Sequence, residues 1–318
     1  TNFIPTRNHY NIPEFNYPDN PIDYNFKSVP LSYVPGEHSA WSIVENEIGN
    51  LLFCNSGVRP AASNPTTRGG VIEINPTTYE FTVYDTTNSI LDGQNGYYDS
   101  NWYYRYILIN QIKKDAWGNS WVLNPMCEYF ENLVAIQMAD GYTWSHIPVP
   151  DDSSFWVNEV TFDSRNRAWF GFRNVTSPNN PDYSYGGIKV LDFNRTVSDI
   201  SDDTWLTIEN PEILPGELAD VTIWSLTFDK MGVLWVLSAN GIQGYYTTTN
   251  SDDKIVLSPI YPIDFLSFMS FEKDNKIRVD AQNNKWIITK NGVWVIQENT
   301  SFWPTDEGFT VENSGLLS

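Results

Sequence analysis

The chain has 318 residues, of which 41% are apolar and 15% aromatic, which is ample material for a packed core and excludes wholesale disorder. Its 39 acidic residues outnumber 19 basic ones, and a net charge of −20 repels phosphate backbones and anionic lipid, so nucleic acid and membrane surfaces are not expected as partners. No apolar run approaches the roughly 18–20 residues of a membrane span, so no membrane insertion is expected.

In chain order, residues 1–23 are rich in Asn, Pro and Tyr and read as a linker or irregular cap, with the folded domain over 24–318. The chain opens at Thr1 without a signal-like pattern and reads as a processed chain or an excised piece. A lone strand is expected between Asn25 and Val34. From there one pattern recurs five times, roughly every 50–70 residues: an apolar run, an acid, a tight polar turn, then Trp or Leu opening a second run. The copies run Glu45 to Leu51, Asp115 to Trp121, Asp163 to Trp169, Asp229 to Trp235 and Asp280 to Trp286. Five positions before the acid stand Asn110, Asn158 and Asn275, with Ala40 and Trp224 in the other two copies. A Gly-led run follows at Gly57-Val58, Gly187–Leu191, Gly241-Ile242 and Gly292–Ile296. A fourth run closes the better units at Glu80–Tyr84, Thr204–Ile208 and Gly308–Val311.

Each unit reads as four short antiparallel strands separated by Gly, Asn and Asp turns. Asp115, Asp163, Asp229 and Asp280 suit tight hairpins, where a carboxylate accepts backbone N–H bonds from the turn. Trp121, Trp169, Trp235 and Trp286 then lie on the second strand as large rings for packing between sheets. Repetition in every unit marks these eight residues as scaffold. One such sheet cannot bury both faces, whereas stacked units can, so the pattern predicts an all-β fold: a β-propeller of four-stranded antiparallel blades, five of them recognisable. A β-sandwich would be equally strand-rich but would not repeat in phase. The closing segment Glu312–Ser318 resembles Asn88–Asp92, which precedes the second unit, and this predicts a larger propeller of six or more blades, incomplete at its C-terminus.

The pattern N-x-[VI]-x-x-D-x-x-G-N-x-W with a following N-G-[IV] resembles the two-component regulator propeller repeat. Asn275 to Asp280, Trp286 and Asn291-Gly292-Val293 form the best copy, and Asp229 to Trp235 with Asn240-Gly241-Ile242 is close. Such repeats occur in periplasmic sensor regions of hybrid histidine kinases and in surface proteins, including a type IX secretion component. The resemblance implies a bacterial, extracytoplasmic propeller (periplasmic, cell-surface or secreted) used for binding.

Ligands of such folds meet the face where loops enter the first strands and leave the second ones. The aromatic segment Tyr97, Tyr98, Trp102, Tyr103 and Arg105 stands out there, and Trp41, Trp156, Arg173 and Trp224 fall in the same set of loops and strand starts. Rings beside amides and Arg suit stacking plus hydrogen bonding to a glycan, peptide or protein partner; the plainer reading is rings covering the core beneath long loops. No catalytic residue and no metal ligand is assigned. The three histidines, His9, His38 and His146, show no metal-ligand spacing, and no G-x-S-x-G is present. The enzyme alternative is a streptogramin-lyase-like or hydrolase-type propeller, with His38 beside Glu37 as its candidate pair. A third reading is an architectural part of a secretion or surface assembly. No cofactor is implied; calcium would be sought at Asp151-Asp152 or Asp202-Asp203, though no D-x-D-x-D-G loop supports it. Cys54 and Cys127 read as small buried apolar side chains.

Overall fold

The computed structural model describes residues 42–55, 69–93, 107–129, 132–150, 156–177, 180–210, 221–260, 271–272, 275–299, 301–305 and 307–315. These form five four-stranded antiparallel sheets, each a propeller blade with its strands in sequence order. The chain divides into two compact units, Thr1–Val149 and Pro150–Ser318. In the first unit, blade one is β1 (Ile43–Glu45), β2 (Leu51–Asn55), β3 (Gly70–Ile74) and β4 (Phe81–Tyr84). Blade two is β5 (Gln111–Lys114), β6 (Ser120–Leu123), β7 (Val134–Gln137) and β8 (Trp144–Ile147). In the second unit, blade three pairs β9 (Val157–Phe162), β10 (Ala168–Phe172), β13 (Gly187–Asp192) and β14 (Thr204–Leu206). A separate hairpin, β11 (Val175–Ser177) with β12 (Asn180–Ser184), is inserted between its second and third strands. Blade four is β15 (Ile223–Phe228), β16 (Leu234–Ser238), β17 (Gly241–Thr249) and β18 (Ile255–Pro259). Blade five is β19 (Lys276–Val279), β20 (Lys285–Thr289), β21 (Gly292–Ile296) and β22 (Phe302–Trp303).

Strand β16 shows why such sheets cannot stand alone. Successive strand residues point to opposite faces. Leu234 and Val236 enter one core with Trp169, Val190, Ile223 and Tyr245, while Trp235 and Leu237 enter another with Ile277, Ile287 and Ile296. The central sheet of this unit is thus sandwiched on both sides. In the first unit a matching core places Leu52, Cys54 and Val71 against Ile107, Ile112, Val122 and Ala135. Fully burying one such aliphatic or aromatic side chain contributes about 1.5–3 kcal/mol. Packing is close enough that a Cβ on Gly171 of β10 would lie 2.6 Å from Ile223 Cγ2 and 2.8 Å from Leu226 Cδ2 of the next blade.

The acid-to-Trp spacing has a specific cause. One oxygen of each Asp accepts the backbone N–H groups two and four residues on: Trp117 and Asn119 for Asp115, Arg165 and Arg167 for Asp163, Met231 and Val233 for Asp229, Gln282 and Asn284 for Asp280. The other oxygen accepts the indole N–H six residues on, at 2.9 Å from Trp121, 3.1 Å from Trp169, 3.1 Å from Trp235 and 2.8 Å from Trp286. The carboxylate closes the turn and also satisfies the polar atom of the ring beside it. The Trp286 bond, with help from Asn284 and Gln282, holds Asp280 down at about 2. Trp121, Trp169 and Trp235 are buried, whereas Trp286 is half-buried.

Three details of the repeat differ from the sequence reading. In the first copy the turn acceptor is Asn46 and not Glu45: Asn50 donates its N–H to Asn46 Oδ1 at 2.9 Å, and buried Leu52 takes the ring position in place of Leu51. A neutral amide can supply the same turn acceptor, so the acid alone misled the alignment by one residue. The third strand of blade one is led by Gly70, while Gly57 lies outside the described residues. Gly70 has φ +147°, and a Cβ there would lie 2.3 Å from Tyr84 O, so the neighbouring strand requires glycine at this start. The outermost strand of blade five is Phe302–Trp303 and not Gly308–Val311. Pro304 has no N–H to continue the ladder, and Phe309 only resumes pairing as an isolated bridge to Val293. Residues 1–23 and the strand expected over 25–34 lie outside the described residues.

Candidate functional site

Where the repeat breaks its own pattern, a site forms in the second unit. Trp156 immediately precedes β9, and Arg173 immediately follows β10; the Arg173 N–H donates to Trp156 O at 2.8 Å. The ladder between these strands shifts register next to Phe172, leaving Asn158 as an extra residue of β9. The next blade shifts at the equivalent place, where Trp224 is the extra residue between Ile223 and Ser225 of β15. Such bulges re-aim a side chain. Asn158 sends its amide across to Ile223 O at 2.7 Å, tying the two blades together. Trp224, which replaces Asn at the matching position, instead presents its ring to Arg173.

The Arg173 guanidinium carbon lies 4.9 Å from the Trp156 ring centroid and 5.4 Å from that of Trp224. Burial pushes the guanidinium below its ordinary value, yet it stays cationic at neutral pH. Indole faces attract the cation but offer no acceptor for its N–H groups. Arg173 has no carboxylate partner among the described residues, and the buried Trp224 Nε1 has no acceptor either.

The backbone of Trp224 continues the site. Lys276, at the start of β19, donates to Trp224 O at 3.2 Å and to Glu159 Oε2 at 3.0 Å. Arg278, two residues on and so on the same face, pairs with Glu159 Oε1 at 2.9 Å and donates to Ser225 Oγ at 3.1 Å. Glu159 is fully buried on β9. Strand β15 packs against both β9 and β19, and small Ser225 on it leaves room for the ion pairs to cross. Two cations, Lys276 and Arg278, therefore share the one carboxylate of Glu159, and a third, Arg173, lies over the Trp224 ring, in a chain of net charge −20.

Of the nine residues singled out from sequence, Trp156, Arg173 and Trp224 come together here. Tyr97, Tyr98, Trp102, Tyr103, Arg105 and Trp41 lie outside the described residues, as do Glu37, His38, Asp151 and Asp152. Glu159, Lys276 and Arg278 were missed. Their signal was present: an acid inside the run Val157-Asn-Glu-Val-Thr-Phe162, and two cations at strand spacing in Lys276-Ile-Arg278. At Asp203 burial and the charges of Asp202, Asp199 and Asp192 raise the carboxyl to about 6. Among the described residues no group of three or more His, Cys, Asp or Glu side chains is arranged for a metal ion.

Neither a protein-family model nor a curated protein matches the chain. Solved structures do. PorZ, a surface component of the type IX secretion system of Porphyromonas gingivalis, is 18% identical with a TM-score of 0.57, over 85% of this chain and 33% of PorZ. The chain is a β-propeller. At that identity the likeness is one of fold alone, and the chain spans about a third of the length of PorZ. The extracellular domain of a hybrid two-component system, BT4673 of B. thetaiotaomicron, is 16% identical with a TM-score of 0.48, over 81% of this chain and 27% of that one. A gluconolactonase is 13% identical with a TM-score of 0.48, over 84% of this propeller and 77% of the enzyme. A shared fold does not by itself carry a role from one protein to another. Among the described residues no helix is long and apolar enough to cross a membrane.

Proposed function

We propose that this propeller is a noncatalytic, extracytoplasmic binding module, a sensor or surface-recognition domain whose glycan, peptide or protein ligand meets Trp156, Arg173 and Trp224. One observation carries the reading: a half-buried guanidinium is held over two indoles with no carboxylate partner among the described residues. A partly desolvated cation flanked by ring faces keeps donor positions that the acceptor of a ligand can fill. Rings and cationic donors bind and orient a ligand, and the carboxylate beside them, Glu159, is taken up by Lys276 and Arg278. The repeat resemblance and the extracellular or surface setting of PorZ and BT4673 support the location. Tyr97, Tyr98, Trp102, Tyr103, Arg105 and Trp41 are proposed as ligand-binding residues in their own right.

The test is a glycan and peptide array probed with wild type, Trp224→Ala and Trp102→Ala. Wild type is expected to give a defined set of hits, weakened roughly tenfold or more by either change, the scale of losing one buried aromatic contact. An unchanged hit profile in Trp224→Ala would remove the Trp156–Arg173–Trp224 cluster as a binding site, and one in Trp102→Ala would remove the aromatic segment around it.

A further inference from the structure

The ligand class can be narrowed, on the premise that the face just described binds. We propose that the site recognises an acidic glycan, one carrying ring carboxylates of the hexuronate type. Among the described residues the Arg173 guanidinium meets no carboxylate, and it is a donor only. A planar guanidinium matches a carboxylate through two parallel N–H···O bonds, and this geometry carries specificity as well as energy. The surrounding charge has the same sense. Among the described residues Glu159 answers only one of the two charges on Lys276 and Arg278, and Arg173 adds another. The whole chain repels anions at −20, so an anionic ligand is drawn to a local reversal of sign and not to the surface at large.

Two features favour a sugar acid over an acidic peptide. Arg173 and Lys276 bracket Trp224, one at its ring and one at its carbonyl. A polymer with a carboxylate on each ring can engage both cations from successive units. A hexuronate also carries an apolar C–H face beside its carboxylate, so one unit offers both a partner for the fork and a face for an indole. A glutamate side chain offers only the first.

The experiment is calorimetric titration of the whole chain with oligogalacturonate, its methyl ester, a sulfated oligosaccharide and a glutamate oligopeptide. Oligogalacturonate is expected to bind. Its methyl ester, which keeps the ring and loses the charge, should bind roughly ten- to a hundredfold more weakly, the range for a charge-assisted hydrogen bond. Arg173→Gln should abolish the difference between acid and ester, and Arg173→Lys should keep part of it. If Arg173→Gln does not fold, the ester comparison on wild type and the Lys variant still decide the matter. Equal binding of acid and ester overturns the carboxylate assignment while leaving a binding face. Tighter binding of the sulfated sugar or the peptide overturns it as well. Absence of binding to all four probes, together with an empty array, overturns both this inference and the reading beneath it.

Discussion

Two buried glutamates, one in each unit, are handled in opposite ways. Glu73 of β3 is surrounded by neutral donors: Asn46 at 3.0 Å, Asn50 at 2.7 Å, the Tyr84 hydroxyl at 2.6 Å and Gln137 at 3.3 Å. Burial and the bond to Glu73 together push the Tyr84 hydroxyl well above its ordinary value, so it remains a donor. Glu159 of β9 is held by two cations, Lys276 and Arg278. Neutral donors satisfy an acid and stop there, and the Glu73 cluster becomes a strut joining blades one and two. Cations satisfy it and leave surplus charge, which is why the Glu159 cluster borders the proposed binding site. Burial of a carboxylate is therefore not in itself a functional signal; the charge of its partners decides.

Replacing each acid by its amide probes that difference. The largest effect is expected for Glu159→Gln, which leaves Lys276 without its counter-charge: a loss of about 3 kcal/mol or more in urea unfolding. Adding Lys276→Met should recover part of it, because the uncompensated cation is then gone. Glu73→Gln should cost less, about 1–3 kcal/mol, since one new N–H₂ group would face donors where an acceptor stood, and no charge is stranded. Equal losses at the two sites would erase the distinction drawn between them. The smallest effect is expected at Asp280, whose side chain is half-buried and held by neutral donors as Glu73 is. Its native value, about 2, lies below the unfolded value of 3.8. Its contribution is therefore fully present above pH ~4 and lost as pH falls toward 2. Thermal midpoints of wild type and Asp280→Asn should differ at neutral pH and converge across that window; a constant offset down to pH 2 would show that the charge is immaterial.

The blades were legible because their determinants are local. Asp229, the backbone of Met231 and Val233, and the Trp235 indole close one turn within seven residues, and the motif repeats wherever a blade needs that turn. Blade one was read a residue out of phase because Asn46 does an acid's work without being one. The site was legible only as a departure: Trp224 stands where Asn158 stands one blade earlier, and the repeat alone marks that position as unusual. That Trp224 would meet Arg173 could not be read, since the bulges that aim both residues depend on how neighbouring strands pair.

The chain's own sequence determined that small aromatic sheets would form and that each would need neighbours on both faces, because turn closure and face alternation act between residues a few positions apart. Tertiary structure alone decided which charges would share a pocket. Glu159 and Lys276 are 117 residues apart in the chain and meet only because the first strands of successive blades pack side by side. Attraction between charges depends on distance in space, and the order of residues along a strand carries no record of it until the blades are stacked.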